Sequence, residues 1–496
     1  MAVTAGAAPR RSNQRAACAV LAVALAGCSQ GPSAVTIRPV VDGPSDDMDA
    51  TPLGLDTVEM SVAHAGGADQ KLQLFKRGQA LELSGLPFGD DLVVHMWGPD
   101  RDVTDNIAYG RTCVVSVAAD APVPEPHLFF SRKGKFATLD IRPVTRVAGL
   151  SIPYLGSALL IAGHDDDGPV TEVERFDPST GEFHPVGMVG QRDQAVQALF
   201  TPPNGPQRAL VIGGSANNLG VNDIDVIEGL NDGLMRMSVA TSDMGRVGLT
   251  ATTLGNGNVI VVGGRIPGGP VVGDIDEIAP SASDSTPLPS KIAMLAHPRA
   301  GHTATRIGDA RAAEVLIAGG ADDTGTPVGT AERFDPLSNG LIDTTASPPI
   351  MVHPRSGHAA VPLIDGSVVF IGGLDATGPV RELEGYRPGV GFFRYSNAVL
   401  SVDQAVVDFA TTILPDGRIL VTGGRAGPAG GRIERAYVID TNPFDGTPII
   451  TPTDSMMYAR AGHQAVLLCD GTVLITGGAP PGFPAERYNP PDTGRR

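Results

Sequence analysis

Apolar residues in this chain gather into short runs that end on a pair of small residues, and the arrangement returns seven times. The runs read Leu-Leu-Ile-Ala-Gly163, Val-Ile-Gly-Gly214, Val-Val-Gly-Gly264, Ile-Ala-Gly-Gly320, Phe-Ile-Gly-Gly373, Val-Thr-Gly-Gly424 and Ile-Thr-Gly-Gly478, at intervals of 50 to 56 residues. Each predicts a short strand, and self-similarity at this period predicts one supersecondary unit repeated in series. The expected fold class is all-β, with a seven-bladed β-propeller over residues 134–496.

The fifth copy shows the unit most fully. Arg355-Ser-Gly-His358 leads into an apolar run, an Asp365-Gly366 turn, a second run ending at Gly372-Gly373, a variable loop, and Glu384-Gly-Tyr386-Arg-Pro388. Apolar runs on either side of Asp-Gly predict a tight hairpin, because that turn needs positive φ. Asn256-Gly257, Asp416-Gly417 and Asp470-Gly471 repeat the device. The glycine pair marks a place where backbones come too close for a Cβ.

This unit resembles the kelch repeat, including Glu174-Arg-Phe-Asp-Pro178 and Glu332-Arg-Phe-Asp-Pro336, echoed by Glu486-Arg-Tyr-Asn-Pro490. Kelch units usually carry a tryptophan in the fourth strand, whereas the one tryptophan here, Trp97, precedes the repeats; Phe183 is expected in its place in the first unit. After Gly478 only one more strand fits before Arg496. The last unit therefore needs a strand from elsewhere, and Lys135-Phe-Ala-Thr-Leu-Asp-Ile141 has the pattern to supply it. That pairing would leave no exposed sheet edge.

Upstream, residues 55–132 hold short alternating runs at Thr57–Val62, Lys71–Phe75, Ala80–Ser84, Asp91–Trp97 and Thr112–Val117, separated by Gly, Pro and Asp. They predict a small β-sandwich. Within it, Glu82-Leu-Ser-Gly-Leu-Pro-Phe-Gly-Asp90 resembles a turn of transthyretin-like and immunoglobulin-like bacterial modules. Residues 28–54, rich in Pro, Ser, Gly and Asp, read as a tether with one strand at Val35–Val41.

The first 27 residues predict a secretion signal: Arg10, Arg11 and Arg15 precede an apolar run, Ala16 to Ala26, too short to span a bilayer. The run ends in Leu25-Ala26-Gly27-Cys28, which resembles the bacterial lipobox. The resemblance implies cleavage before Cys28, acylation of that cysteine, and a chain held at the cell envelope. Ser29, by resemblance to envelope sorting rules, implies the outer membrane. Of the other cysteines, Cys18 falls in the signal; Cys113 and Cys469 fall in different modules and are expected to be two separately buried thiols, a disulfide between them being the other reading.

Net charge is −17, and Gly 63 and Pro 42 accompany only 18% charged residues. That balance describes a turn-rich β protein and disfavours nucleic acid and anionic membrane surfaces, which need a basic face.

Several residue columns repeat with the unit. Arg146, Arg192, Arg246, Arg299, Arg355 and Arg460 precede the inner strand, Val406 standing in the sixth unit, and Glu174, Asp225, Asp276, Glu332, Glu384, Glu434 and Glu486 follow the glycine pairs. Repetition in every unit points to structural Arg–acid pairing rather than to one active site. His302, His358 and His463 share a column; three imidazoles round an axis could hold a metal, but a repeated residue bonding to backbone is the preferred reading, so no metal is expected.

The loops after the glycine pairs vary most, which makes them the expected ligand-binding positions. Their candidates are Asp165, Asp166, Asp167, Asn217, Asn218, Arg265, Asp322, Asp323, Asp375 and Arg425. Asp165 to Asp167 looks like half of a calcium loop but lacks its alternation, so an Asp-rich turn is expected. No hydrolase elbow, zinc motif or phosphate loop appears, and no cofactor is expected. The function anticipated is a binding platform for a protein or an envelope glycan. The alternative, which the kelch resemblance implies, is a carbohydrate-active or copper-dependent oxidase-type enzyme, for which Cys469, Tyr458 and Tyr488 are the available pieces.

Overall fold

The computed structural model describes residues 35–42 and 55–491, apart from 87, 100–105, 119–121, 140–141, 145, 166, 203–204, 230–234, 242, 280–287, 309–312, 343–347, 405 and 442–446. Every regular element among them is a strand, so the chain is all-β. Cys28 and the signal segment lie outside the described residues.

Seven antiparallel sheets of four strands account for residues 135–489. The first six are each drawn from one continuous segment: 150–188, 196–241, 250–294, 300–342, 359–399 and 410–452. Strands lie in chain order within each, so the short run before the glycine pair becomes the second, interior strand. Val259–Val262, Val368–Ile371, Ile419–Thr422 and Val473–Thr476 are buried at every position.

Burial on both faces follows from alternation along a strand. Val259 and Val261 pack with Leu210, Ile212 and Val226 of the second sheet, while Ile260 and Val262 pack with Val315, Ile317 and Phe334 of the fourth. Each such side chain contributes about 1.5–3 kcal/mol on burial. The same device makes seven apolar seams, one between every pair of successive sheets and one, through Leu160, Phe176, Val466 and Leu474, between the seventh and the first.

The seventh sheet is composite. Gln464–Leu467, Val473–Thr476 and Glu486–Asn489 are joined by Lys135–Thr138, with Phe136 opposite Tyr488 and their rings 4.8 Å apart. Of the strand expected at 135–141, residues Lys135–Thr138 form and supply the missing edge, while 140 and 141 lie outside the described residues. Phe183 lies on the fourth strand of the first sheet, 4.8 Å from Phe176, as its column position implied.

The N-terminal module is a sheet in the order Ser131–Arg132, Asn106–Arg111, Gly89–Pro99, Thr57–His64, Gln70–Lys76, with Val115–Val117 also paired to Gly89–Pro99. Asn106–Arg111 was not legible as a strand. Val35–Ile37 pairs with Leu83–Leu86 and Val40–Asp42 with His127–Phe129. Ile37 is fully buried beside Val62, Leu92, Val94 and Phe130, so these residues of the expected tether belong to the module's core.

Cys113 and Cys469 are joined in a disulfide, their Cα atoms 5.1 Å apart. The expectation of two separate thiols is corrected: the module abuts the hairpin Leu468–Thr472 of the seventh sheet, which places the two cysteines together. Around that bridge Asn489 donates to the carbonyls of Tyr109 and Ser131, and the buried Arg487 lies 4.0 Å over the ring of Phe129 while pairing with Asp470.

Candidate functional site at the loop end of the sheets

Each inner strand is entered through the arginine column. Arg299 donates to the carbonyls of His297, Gly319 and Thr330 and to Glu332 at 2.8 Å, while Glu332 accepts the backbone N–H groups of Ala296 and His297. Arg355 with Glu384 and Arg460 with Glu486 repeat the arrangement, and Arg146–Glu174, Arg192–Asp225 and Arg246–Asp276 are likewise paired and buried. These groups tie the incoming segment to the second and third strands, which is structural work.

Glu434 does not belong to the column. Strand register sets Val421 opposite Tyr437, as Phe370 is set opposite Glu384, so Tyr437 holds the sixth acidic position and Glu434 is exposed in a longer loop. Val406 and Phe409 replace the arginine and the histidine in that same unit.

The three column histidines do not converge. Nε2 of His302 lies 3.0 Å from the Thr250 hydroxyl, that of His358 3.0 Å from Thr303, and that of His463 2.8 Å from Thr422, each in its own seam. Burial, then the neighbouring arginine, pushes each imidazole down to about 3. The next unit's backbone accounts for the first glycine of each pair, with the histidine ring adding to it in three units: a Cβ on Gly263 would meet the Arg299 carbonyl at 2.6 Å and His302 at 2.8 Å, and one on Gly423 would meet His463 at 2.6 Å and the Arg460 carbonyl at 2.7 Å. No group of three or more His, Cys, Asp or Glu among the described residues is arranged to hold a metal ion. Tyr458 stacks near Phe483, the Tyr488 hydroxyl meets Thr453, and Cys469 is in the disulfide, so the pieces of an oxidase-type centre are dispersed.

Register also fixes where the variable loops emerge. In five units the residue after the arginine position, held by Val406 in the sixth, bridges to the residue after its own glycine pair: Val147 to His164, Asp193 to Ser215, Val247 to Arg265, Ser356 to Leu374 and Val407 to Arg425. All of these loops leave at the end where inner strands begin. The first-to-second-strand hairpins, including Leu468–Thr472 under the N-terminal module, lie at the other end.

At the loop end the first and second sheets enclose a polar cleft of about 460 Å³. It is lined by His164, Asp165, Asp167, Asp193, Asn217 and Asn218, with Gln194 and Ser215. His164 Nδ1 meets Asp193 Oδ1 at 3.0 Å across the two units, both groups partly exposed. The lining offers carboxylate acceptors and amides that both donate and accept, suited to hydroxyl-rich or cationic groups and hostile to anions.

Four of the sequence candidates, Asp165, Asp167, Asn217 and Asn218, meet here; Asp166 lies outside the described residues. His164, Asp193, Gln194 and Ser215 were missed as site residues, although the position after the arginine and the position after the glycine pair would have found three of them. Asp165, Asp322 and Asp375 spend an oxygen inside their own loops, Asp322 on Thr324 and Thr326 and Asp375 on Thr377 and Gly378. Hydrogen bonds from the threonine hydroxyls hold the last two carboxyls low. Arg265 pairs with Asp323 at 3.1 Å, and Arg425 with Asp408 at 3.2 Å. Asp322, Asp323, Asp375, Arg265 and Arg425 are spread round the loop end, outside the cleft. Beside the fourth sheet, a more apolar depression of about 440 Å³ lies among His297, Pro298, Asp322, Pro327, Val328 and Ile350.

No protein-family model matches the chain, and no curated protein matches it. Among solved structures, one described as "Structure of YjhT" is similar at 16% identity, covering 63% of this chain and 99% of that one, with a TM-score of 0.46.

Proposed function

We propose that the seven sheets are the blades of a kelch-like β-propeller whose loop end is a binding platform for a protein or a cell-envelope glycan, carried on a chain anchored by lipid at Cys28. Support for the propeller comes from seven four-stranded sheets joined by seven apolar seams, with the last sheet completed by Lys135–Thr138. The platform reading rests on one observation above all. The N-terminal module occupies the hairpin end of the seventh sheet, while the polar cleft opens at the opposite end. An anchor preceding the module would thus leave the cleft facing away from it.

Against an enzyme, the side chains of the cleft show, among the described residues, no nucleophile bonded to an oriented base; His164 bonds to Asp193. The test is site-specific photocross-linking in intact cells from position 218, with position 290 on an outer strand as control. One protein or glycan captured from 218, lost on Asp193→Ala and absent from 290, supports the platform; equal capture from both positions, or none from 218, overturns it. For the anchor, Cys28→Ala should release the chain from membranes, and a membrane-bound variant of mature mass would refute it.

A further inference from the structure

We infer that the Cys113–Cys469 disulfide is a redox lock on the seventh sheet, set only after the chain reaches an oxidising compartment. The first six sheets are continuous in sequence, so each is held to the next by the chain itself. The seventh is different. Its first three strands end the described chain, and its fourth, Lys135–Thr138, lies more than 300 residues upstream and runs on into the first sheet. Between Glu486–Asn489 and that strand the seam is held by pairing over four residues and by side chains, with no covalent continuity.

The disulfide spans this seam. Cys113 belongs to the module that leads directly into Lys135–Thr138, and Cys469 sits on the hairpin joining the first two strands of the seventh sheet, 356 residues away. Closing the bond makes a covalent loop through the whole run of sheets, so the module and its strand can no longer drift from the sheet they complete. Arg487 marks the same junction: buried, it touches Phe129 of the module, Asp470 and Thr472 of the hairpin, and lies 5.6 Å from Phe176 of the first sheet. Both cysteines are partly exposed, which leaves them open to exchange.

The step balances as thiol–disulfide exchange. The Cys113 and Cys469 thiols give up two protons and two electrons to an external disulfide, which leaves as two thiols while the Sγ–Sγ bond forms. A reducing compartment keeps the thiols apart, and the lock stays unset until a disulfide-donating oxidant is met.

Peptide mapping of the purified full chain without reductant comes first, and recovery of free Cys113 and Cys469 from oxidising conditions would overturn the inference. Hydrogen exchange is then followed on the folded protein before and after reduction with dithiothreitol. Residues 135–138 and 486–489 should lose protection at least tenfold while 259–262 in the third sheet stays unchanged. Unchanged exchange at 135–138, or a uniform loss over all sheets, would count against a lock at this seam. The Cys113→Ser/Cys469→Ser variant should match the reduced protein without reductant, and a pattern matching the oxidised protein would equally overturn it.

Discussion

Val406 and Tyr437 lie in the buried cluster between the fifth and sixth sheets, at the two positions where the other sheets hold an arginine and its carboxylate. The exchange is concerted: removing the cation alone would strand a buried acid, so the acid is gone too. The Tyr437 hydroxyl has no hydrogen-bond partner among the described residues, and burial pushes its phenol well above the ordinary range. Sheet six is thus a natural apolar version of the ionic staple. Arg355→Met should cost about 3–5 kcal/mol by leaving Glu384 buried and unpaired. Arg355→Val with Glu384→Tyr should recover at least half of that loss. Denaturant titration decides it: a double variant no more stable than the single one would mean the pair is not exchangeable as a unit.

A second column carries strain that substitution can remove. Ala148, Gln194 and Asp408 have φ of 54°, 55° and 55°, where the other units place Gly248, Gly301, Gly357 and Gly462 at 65° to 67°. The left-handed region costs a residue with a Cβ about 1–2 kcal/mol, partly offset by the greater unfolded-state freedom of glycine. Ala148→Gly should therefore stabilise by about 0.5 kcal/mol. Conversely, Gly301→Ala meets nothing within 4 Å and should cost only about 1 kcal/mol, whereas Gly320→Ala would meet the Ala300 carbonyl and His302 at 2.9 Å and should cost more. Thermal melts of the three variants give the order, and equal losses at Gly301 and Gly320 would contradict it.

The repeat was legible because its defining features are local: a buried run, a glycine pair and an Asp-Gly turn each sit within a few residues. Arg299 and Glu332 could be paired on paper because their spacing recurs. Glu434 could not be excluded in that way, since the sixth loop is longer and only strand register shows Tyr437 in its place. The disulfide was only the second reading for a related reason: Cys113 lies in the N-terminal module and Cys469 on a hairpin of the seventh sheet, and nothing local in either segment shows that the module abuts that hairpin. At the cleft, Asn217 and Asn218 were visible as loop residues, but His164 and Asp193 become one site only through contact between units.

Removal of the returning strand should unfold more than itself. Phe136 buries its ring against Tyr488 and joins a cluster with Leu420, Val438 and Ile475, linking sheets six and seven. Phe136→Ala should cost about 3 kcal/mol, and deletion of residues 134–142 should abolish the cooperative melt of the sheets. A deletion variant melting at the wild-type temperature would show that the seventh sheet does not need this strand.

The buried histidines give the fold a pH dependence whose sign can be derived. His302, His358 and His463 stay neutral in the folded chain down to about 3, because burial and the adjacent arginines disfavour a second positive charge. In the unfolded chain they titrate near 6.5. Below that value the unfolded state takes up protons that the folded state refuses, so stability is full above about pH 6.5 and falls as pH drops. Each histidine contributes a slope of up to about 1.4 kcal/mol per pH unit over that window. The carboxyls of Asp225, Asp276, Glu384 and Glu486, pushed up by burial, act with the opposite sign, since their protonation is favoured in the fold; that effect begins at their unfolded values of 3.8 and 4.5 and runs upward, so it offsets part of the histidine loss. Phe409 shows that a phenyl ring can occupy the site, lying where a Cβ on Gly372 would meet it at 2.7 Å. His358→Phe should thus remove that residue's own share of the pH dependence, a slope of up to about 1.4 kcal/mol per pH unit between pH 6.5 and 5. Urea midpoints for wild type and variant across that range test the derivation; parallel curves would show that His358 titrates alike in the folded and unfolded chain.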